Sequence, residues 1–380
     1  FDIQKLGNES VLEPQKWIAA HSEKTLKVGA DPFVMSPKEW RRFVNAIGKF
    51  GHTLLSTTPN LVDSVWDNRP NPPKKEIYPL PLKYTGKDSE SKLHDIRKEI
   101  SAAGTVSDST PDVLLLTMLD EIAWLTNLRG SDIEYNPVFE AYAAIFQDRA
   151  ICFCHHPEAN LSEYCPGWEF RPYADYLGFL EKLAEKESVK VWLDPSTITM
   201  GTRLAFADYQ VYEQKSPIVL AKALKNSTEI AATKNAHKQA GVGVVKSFRR
   251  LHDTFEKRQP ITEKEFSNWL YEEYSQAEDF SDLSFNTIAG SGPNGAIVHY
   301  GNPDSKIPMK SGEMLLVDSG IQCGGGTTDA TRTVILGNPD EKQKRIYTLV
   351  LQAHIRLAKQ VFPEGTTGAS LDSITRSGLW

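Results

Sequence analysis

The segment Met314-Leu-Leu-Val-Asp-Ser-Gly-Ile-Gln-Cys-Gly-Gly-Gly-Thr-Thr-Asp-Ala-Thr-Arg-Thr-Val-Ile335 holds two stretches rich in apolar and β-branched residues, Met314 to Ile321 and Thr327 to Leu336, around a glycine triplet. That is the pattern of a β-hairpin. Centring the loop on Cys323-Gly324 puts Asp318 and Asp329 at equal distances from the turn, directly opposed on one face. Opposed Cβ atoms lie roughly 5 Å apart. Two charged carboxylates that close repel unless cations share them, and metal pairs in hydrolases sit about 3.5–4 Å apart. The spacing suits a two-metal hydrolase, and equally a hairpin with two solvated aspartates near its turn.

The chain as a whole is of ordinary globular composition, 40% hydrophobic and 24% charged, and its 380 residues are more than one core holds and predict two or three domains. A net charge of -6 and a pI near 5.9 argue against nucleic acid or an anionic membrane as the main partner, since both call for concentrated Lys and Arg. A small-molecule or peptide substrate fits better. There is no apolar run of about 18 residues, and Phe-Asp-Ile-Gln-Lys-Leu at the start is no signal core, so the expectation is a soluble, cytoplasmic protein. Four cysteines do not make a disulfide framework. Cys152, Cys154, His155, His156 and Cys165 cluster, but without the matched ligand spacing of a zinc site; alternation of Cys152 and Cys154 with Ile151 and Phe153 reads as a half-buried strand.

Working outward, Lys27 to Val34 reads as a strand, Ser36-Pro-Lys-Glu39 as a capped helix start with Trp40, Phe43, Val44 and Ile47 inward, and Thr53 to Thr57 as the next strand: a βαβ unit. The proline-rich stretch 68–82 reads as an extended linker. A second α/β region follows, with strands at Val113 to Thr117, Ala143 to Phe146, Ala150 to Cys154 and Val189 to Leu193, and a short helix capped by Asp120. Its loop Asn127-Leu-Arg-Gly-Ser-Asp132 offers Arg129 either to a carboxylate ligand or to Asp132 or Glu134. From about residue 216 long helices precede strands and glycine loops. Val244, Phe248, Leu251 and Phe255 stripe one helix, Thr262-Glu-Lys-Glu265 caps another, and Asp340-Glu-Lys-Gln343 opens a third striped by Ile346, Leu349, Val350, Ala353 and Leu357. In Ser284-Phe-Asn-Thr-Ile-Ala-Gly-Ser-Gly-Pro-Asn-Gly-Ala-Ile-Val-His-Tyr300 a glycine loop precedes a short strand that delivers His299, a residue able to bond a substrate carbonyl or pass a proton, or simply to be satisfied at a strand end.

Taken in order, Gly-Ser-Gly-Pro-Asn-Gly-Ala-Ile-Val-His-Tyr, Val-Asp-Ser-Gly and Gly-Thr-Thr-Asp-Ala-Thr-Arg-Thr, with Leu119-Asp-Glu-Ile-Ala-Trp-Leu and Asn127-Leu-Arg-Gly-Ser-Asp upstream, closely resemble aminopeptidase P, the Xaa-Pro aminopeptidases of the pita-bread metalloprotease family, three-domain cytosolic type. The resemblance implies an α/β (α+β) fold with creatinase-like α/β N-terminal domains ahead of a pita-bread catalytic domain: residues 1–75, 76–215 and 216–380. It implies a homodimer with two Mn²⁺ ions per subunit, Asp318 binding one ion and Asp329 bridging both. His299 would be the catalytic and substrate-binding residue at the scissile bond. A hydroxide held between the ions would attack the carbonyl before proline in peptides whose second residue is proline.

The same resemblance puts the remaining ligands, a histidine and two glutamates, beyond Trp380, and more of the first domain ahead of Phe1. The expectation is a chain truncated at both ends, its catalytic domain incomplete and inactive alone. A proline dipeptidase or creatinase-like relative is the enzymatic alternative, and a metal-free pita-bread module that binds peptide or protein is the other. Two opposed carboxylates favour the enzyme, because a binding module has no physical need for them.

Overall fold

In the computed structural model, which describes residues 11–21, 24–104, 110–157 and 161–380, the chain divides after Ala232 into two units. The first begins with helix α1 (Pro14–Ala20) and a βαβ unit of β1 (Lys27–Ala30), α2 (Pro37–Gly48) and β2 (Thr53–Ser56), the strands parallel with Lys27 level with Thr53. α2 starts where its capping box sets it: Glu39 N donates to Ser36 Oγ at 3.2 Å and Ser36 N to Glu39 Oε2 at 3.0 Å, with Pro37 next. Trp40 and Ile47 are buried against Leu54, whereas Val44, expected inward, is exposed. A sheet of two strands covers only a narrow stripe of the helix.

The second sheet has six strands: β3 (Val113–Leu116), β4 (Ala141–Phe146), β5 (Ala150–Cys154), β6 (Trp168–Pro172), β7 (Val191–Leu193) and β8 (Val211–Glu213), in the order β8-β7-β3-β4-β5-β6. Leu114, Leu116, Ala143, Ile145, Cys152 and Cys154 point to one core, closed by Leu93, Ile96 and Ile100 of α3 (Ser89–Ala103) and Ile122 and Leu125 of α4 (Leu119–Thr126). Val113, Leu115, Ala144, Ile151 and Phe153 point to the other, closed by Tyr176, Leu180 and Leu183 of α5 (Asp175–Ala184). Both faces being covered, β5 is buried at every position rather than half-buried, and its alternation sorts thiols from Ile and Phe between two cores.

Three local expectations change. Asp120 does not cap α4; Met118 occupies that position, and Asp120 in the first turn pairs with Lys222. Arg129 bonds neither Asp132 nor Glu134: its Nη1 donates to the carbonyls of Ala123 at 2.6 Å and Leu128 at 2.9 Å, and burial lowers its pKa to about 10. Asp132 instead accepts from the backbone N–H groups of Lys75 and Glu140, and Tyr78–Pro79 pairs with Leu128–Arg129, so the second half of the proline-rich stretch is pinned to this domain.

At the edge of the sheet, Glu213 receives Arg41 Nη1 at 2.7 Å and Arg203 Nε at 2.9 Å, tying α2 to β8. Arg41 is the main reason its carboxyl titrates below the ordinary glutamate range. A depressed carboxyl adds stability above its unfolded pKa and loses it as pH falls through the folded value. We expect Arg41→Met to lower the melting temperature near neutrality, by about 1 kcal/mol or less in stability, and the gap to wild type to close as pH falls below the ordinary glutamate range.

The second unit gathers on α6 (Ser227–Glu256) and α7 (Glu263–Tyr274), followed by β9 (Phe280–Leu283), β10 (Ile288–Ser291), β11 (Met314–Ser319), β12 (Ile321–Cys323), β13 (Gly326–Thr327) and β14 (Ala330–Ile335). The strands form two three-stranded sheets, β10-β11-β14 and β9-β12-β13. Ala236, Ala240 and Leu251 of α6 and Phe266, Leu270 and Tyr274 of α7 pack on Leu315 and Val317 of β11. Alternation along β11 therefore turns Asp318 away from that core. α8 (Glu341–Ala358) and α9 (Gly368–Arg376) end the chain; on α8 Ala353 is buried but Ile346, Val350 and Leu357, expected inward, are exposed.

Candidate functional site

The hairpin turns one residue later than the sequence suggests. Gly324 and Gly325, with φ of 53° and 77°, take the two central positions, both in the left-handed region that a type I′ turn requires. The register then pairs Gln322 with Thr327 and Ser319 with Ala330, so Asp318 lies opposite Thr331 and not Asp329. Asp329 is two residues from Thr331 on the same face, diagonal to Asp318. Diagonal neighbours remain within side-chain reach, and the two carboxyls interact. Asp329 titrates above the usual aspartate range, first through desolvation and then through the charge of Asp318 and a hydrogen bond with it.

Where the two aspartates come together the long hairpin passes from one sheet to the other. Ile321 N donates to the side chain of Thr328, at 2.9 Å from Oγ1, while Thr328 O accepts Ser284 Oγ at 2.7 Å. Gly320 sits in this crossing and Asp329 leaves it. Behind Asp318, on the core side, Tyr274 and Ser319 hydroxyls bond at 2.8 Å, and the Tyr274 pKa is raised by burial foremost, with Asp318 adding to it.

The oxygen Oδ1 of Asp318 is buried with no hydrogen-bond partner. An unsatisfied buried acceptor costs about 1–3 kcal/mol, and a cation would satisfy it. Carboxylate oxygens are hard donors, suited to Mn²⁺ or Mg²⁺. The pair thus fits part of a metal site, and its two charges would neutralise one divalent ion. Among the described residues no group of three or more His, Cys, Asp or Glu side chains gathers in metal-holding geometry, so His299 does not complete such a group with the two carboxylates.

His299 is not delivered by a strand. The strand β10 contains Gly290 and precedes Gly292 and Gly295, pairing Ile288 with Asp318 and Ser291 with Leu315, because Ile288 and Ala289 are residues that find cover in the core. Gly292–Ala296 form a 3-10 turn, and His299 lies exposed in the turn after it with φ of 54°. What holds this loop is a residue whose capping-box setting disguised it: the carboxylate of Glu263 accepts from Ser291, Asn294, Tyr300 and Asp304. Nothing in the sequence near Glu263 announces partners so far along the chain.

Residues 68–229 match the Creatinase/Prolidase N-terminal domain and residues 231–380 match Metallopeptidase family M24. The chain thus carries a creatinase-type domain followed by an M24 metallopeptidase domain. Over its whole length it is similar to Xaa-Pro aminopeptidases P: 37% identical to a probable Xaa-Pro aminopeptidase P of Sordaria macrospora, covering 64% of that protein, and 35% identical to aminopeptidase P2 of Arabidopsis thaliana, covering 57%. The X-prolyl aminopeptidase of Caenorhabditis elegans, a cytosolic enzyme with a di-nuclear active site, superposes with a TM-score of 0.89 at 27% identity over 100% of this chain and 62% of that one. A Pyrococcus horikoshii prolidase shares the fold at a TM-score of 0.58 and 20% identity, over 76% of this chain and 77% of its own. The chain spans about three fifths of the curated relatives it matches.

Proposed function

We propose that this chain is part of a metal-dependent Xaa-Pro aminopeptidase that removes the first residue from peptides with proline second. The observation that carries the reading is the carboxylate pair Asp318 and Asp329, one oxygen of it buried without a partner, on an M24 hairpin. In this reading Asp318 and Asp329 hold two Mn²⁺ ions together with ligands from elsewhere in the complete protein. Bound there, such ions polarise the scissile carbonyl and lower the pKa of water enough to supply a nucleophile near neutral pH. On the core side of Asp318 the Tyr274 and Ser319 hydroxyls are bonded to each other, which leaves Asp318 Oδ1 buried and free for a cation. His299, on an exposed turn, is the group that meets substrate near the scissile bond and steadies charge developing on the carbonyl oxygen.

Proline accounts for a dedicated enzyme. Its nitrogen carries no N–H and its ring fixes φ, so sites that recognise an amide donor or an ordinary backbone reject it. We further propose that the protein works in the cytoplasm as a homodimer, and that residues 1–75 are part of a first creatinase-like α/β domain, 76–215 a second and 216–380 part of a pita-bread catalytic domain. The separate two-stranded and six-stranded sheets and the pair of three-stranded sheets support that division. Among the described residues no helix is long and apolar enough to cross a membrane.

The test is release of free arginine from an Arg-Pro-Pro peptide by the complete gene product, with Mn²⁺ and with chelator. Metal-dependent release is the expected result. Hydrolysis confined to Xaa-Pro dipeptides would shift the assignment to a proline dipeptidase, and binding of the peptide without hydrolysis to a recognition module.

A further inference from the structure

Glu263, the first residue of α7, is 2% exposed, and all of its hydrogen-bond partners are uncharged. Its Oε1 accepts Ser291 N at 2.6 Å and Asn294 Nδ2 at 3.1 Å; its Oε2 accepts the Tyr300 hydroxyl at 2.9 Å and Asp304 N at 2.8 Å. These donors lie at the start, the 3-10 turn, the far side and the end of one loop. Asn294 Nδ2 also donates to Tyr300 at 3.1 Å, which cross-links the loop to itself. The carboxylate is itself anchored, since the Thr262 and Glu265 capping box fixes the helix start and Lys264 N donates to Asp304 O at 3.0 Å. A carboxylate that takes four donors from uncharged groups holds them with charge-assisted bonds.

His299 immediately precedes Tyr300 and has φ of 54°, a conformation that a residue other than glycine keeps only where its surroundings impose it. Its neighbours Ile297 and Val298 are exposed, so packing does not impose it. Bonds from Glu263 fall on either side of it, at Asn294 and at Tyr300 and Asp304, and Asn286 Nδ2 donates to the carbonyl of Gly301.

We propose that Glu263 is a positioning residue, whose buried carboxylate clamps the loop from Ser291 to Asp304 and thereby sets the place of His299. Its consequence for the reaction rests on the reading that His299 meets substrate; the clamp itself does not. Glu263→Gln is isosteric but turns one oxygen into an N–H donor that faces another donor, at Ser291 and Asn294 or at Tyr300 and Asp304. Tyr300→Phe removes the bond to Glu263 and the one from Asn294, and leaves the helix untouched.

The experiment compares the complete gene product with Glu263→Gln, Tyr300→Phe, His299→Ala and the Glu263→Gln/His299→Ala double variant, by hydrogen–deuterium exchange and by Xaa-Pro peptide kinetics. Glu263→Gln should speed exchange of amides from Ser291 to Asp304 while those from Met314 to Ile335 are unchanged, with Tyr300→Phe smaller in the same direction. It should lower kcat/KM by about 10- to 100-fold and add nothing to the loss in His299→Ala, because both act through one group. Unaltered loop exchange in both Glu263→Gln and Tyr300→Phe overturns the clamp. Losses that multiply in the double variant overturn the positioning role and leave Glu263 a structural residue. A wild-type protein that releases nothing from such peptides removes the functional reading only, and the exchange data still decide the clamp.

Discussion

Replacing Asp318 or Asp329 with alanine in the complete gene product is expected to abolish metal-dependent hydrolysis of Xaa-Pro peptides, a loss of more than about 100-fold, since even partners outside a metal's direct ligands cost 10–100-fold. The physical reason lies in the pair's arrangement. Two carboxylates held together by one hairpin are a liability unless a cation lies between them, and here burial and the charge of Asp318 already push the Asp329 pKa upward. Neutralising one of them should therefore have opposite effects on stability and function. In the presence of chelator, Asp329→Asn is expected to melt at or above the wild-type temperature because the repulsion is gone. With Mn²⁺ added, wild type should gain in melting temperature by linkage and Asp329→Asn should gain less. Melting curves with and without Mn²⁺, alongside metal content, read both signs. A variant that melts below wild type in chelator and responds fully to Mn²⁺ would show that the pair is scaffold.

The second large effect belongs to Gly320. A Cβ there would lie 1.9 Å from Thr328 O, 2.7 Å from Thr328 C and 2.3 Å from Ser284 Oγ. None of these can yield cheaply. Thr328 N donates to Ile321 O at 2.9 Å, Ser284 N to Gly320 O at 3.0 Å, and Ser284 Oγ to Thr328 O, so three segments are bonded around the missing methyl. Gly320→Ala is expected to cost at least about 3 kcal/mol, the upper range for overpacking, and to lower metal affinity with it, because the crossing it forces apart is the one that brings Asp329 toward Asp318. Gly241→Ala is the control: it lies inside α6 with nothing within 4 Å of the added methyl, and should stabilise by about 0.5–1 kcal/mol. Thermal melts of the two variants, with Mn²⁺ titration of Gly320→Ala, test the argument. An unchanged melting temperature for Gly320→Ala would mean that the crossing is looser than its hydrogen bonds indicate.

Much of the scaffold was legible because it is encoded locally. Ser36 with Glu39, Thr262 with Glu265 and Asp340 with Gln343 each form the capping box that their spacing announces. The strand Val113–Leu116 was readable as a buried apolar run, whereas Ala150–Cys154 was readable as a strand but not in its extent of burial, since alternation cannot report how many faces will be covered. The stripe on α8 illustrates the converse: a periodic apolar face predicts a helix correctly and says nothing about what lies against it.

At the site the sequence, by itself, determined the parts: two aspartates on one hairpin face, a turn that must use glycine, and a glycine-containing loop bearing His299. Which aspartate faces which residue was decided by tertiary structure. Three consecutive glycines allow the turn to sit at more than one position, and contacts from Ser284 and from β9 select the register that sets Asp329 diagonal to Asp318. The path of the His299 loop was likewise beyond the sequence, because the buried Glu263 that holds it bonds residues 28 and 41 positions further along the chain. Chemical type is a property of single residues and of short spacing. The positions that make it chemistry depend on bonds between distant segments, which exist only once the chain has folded.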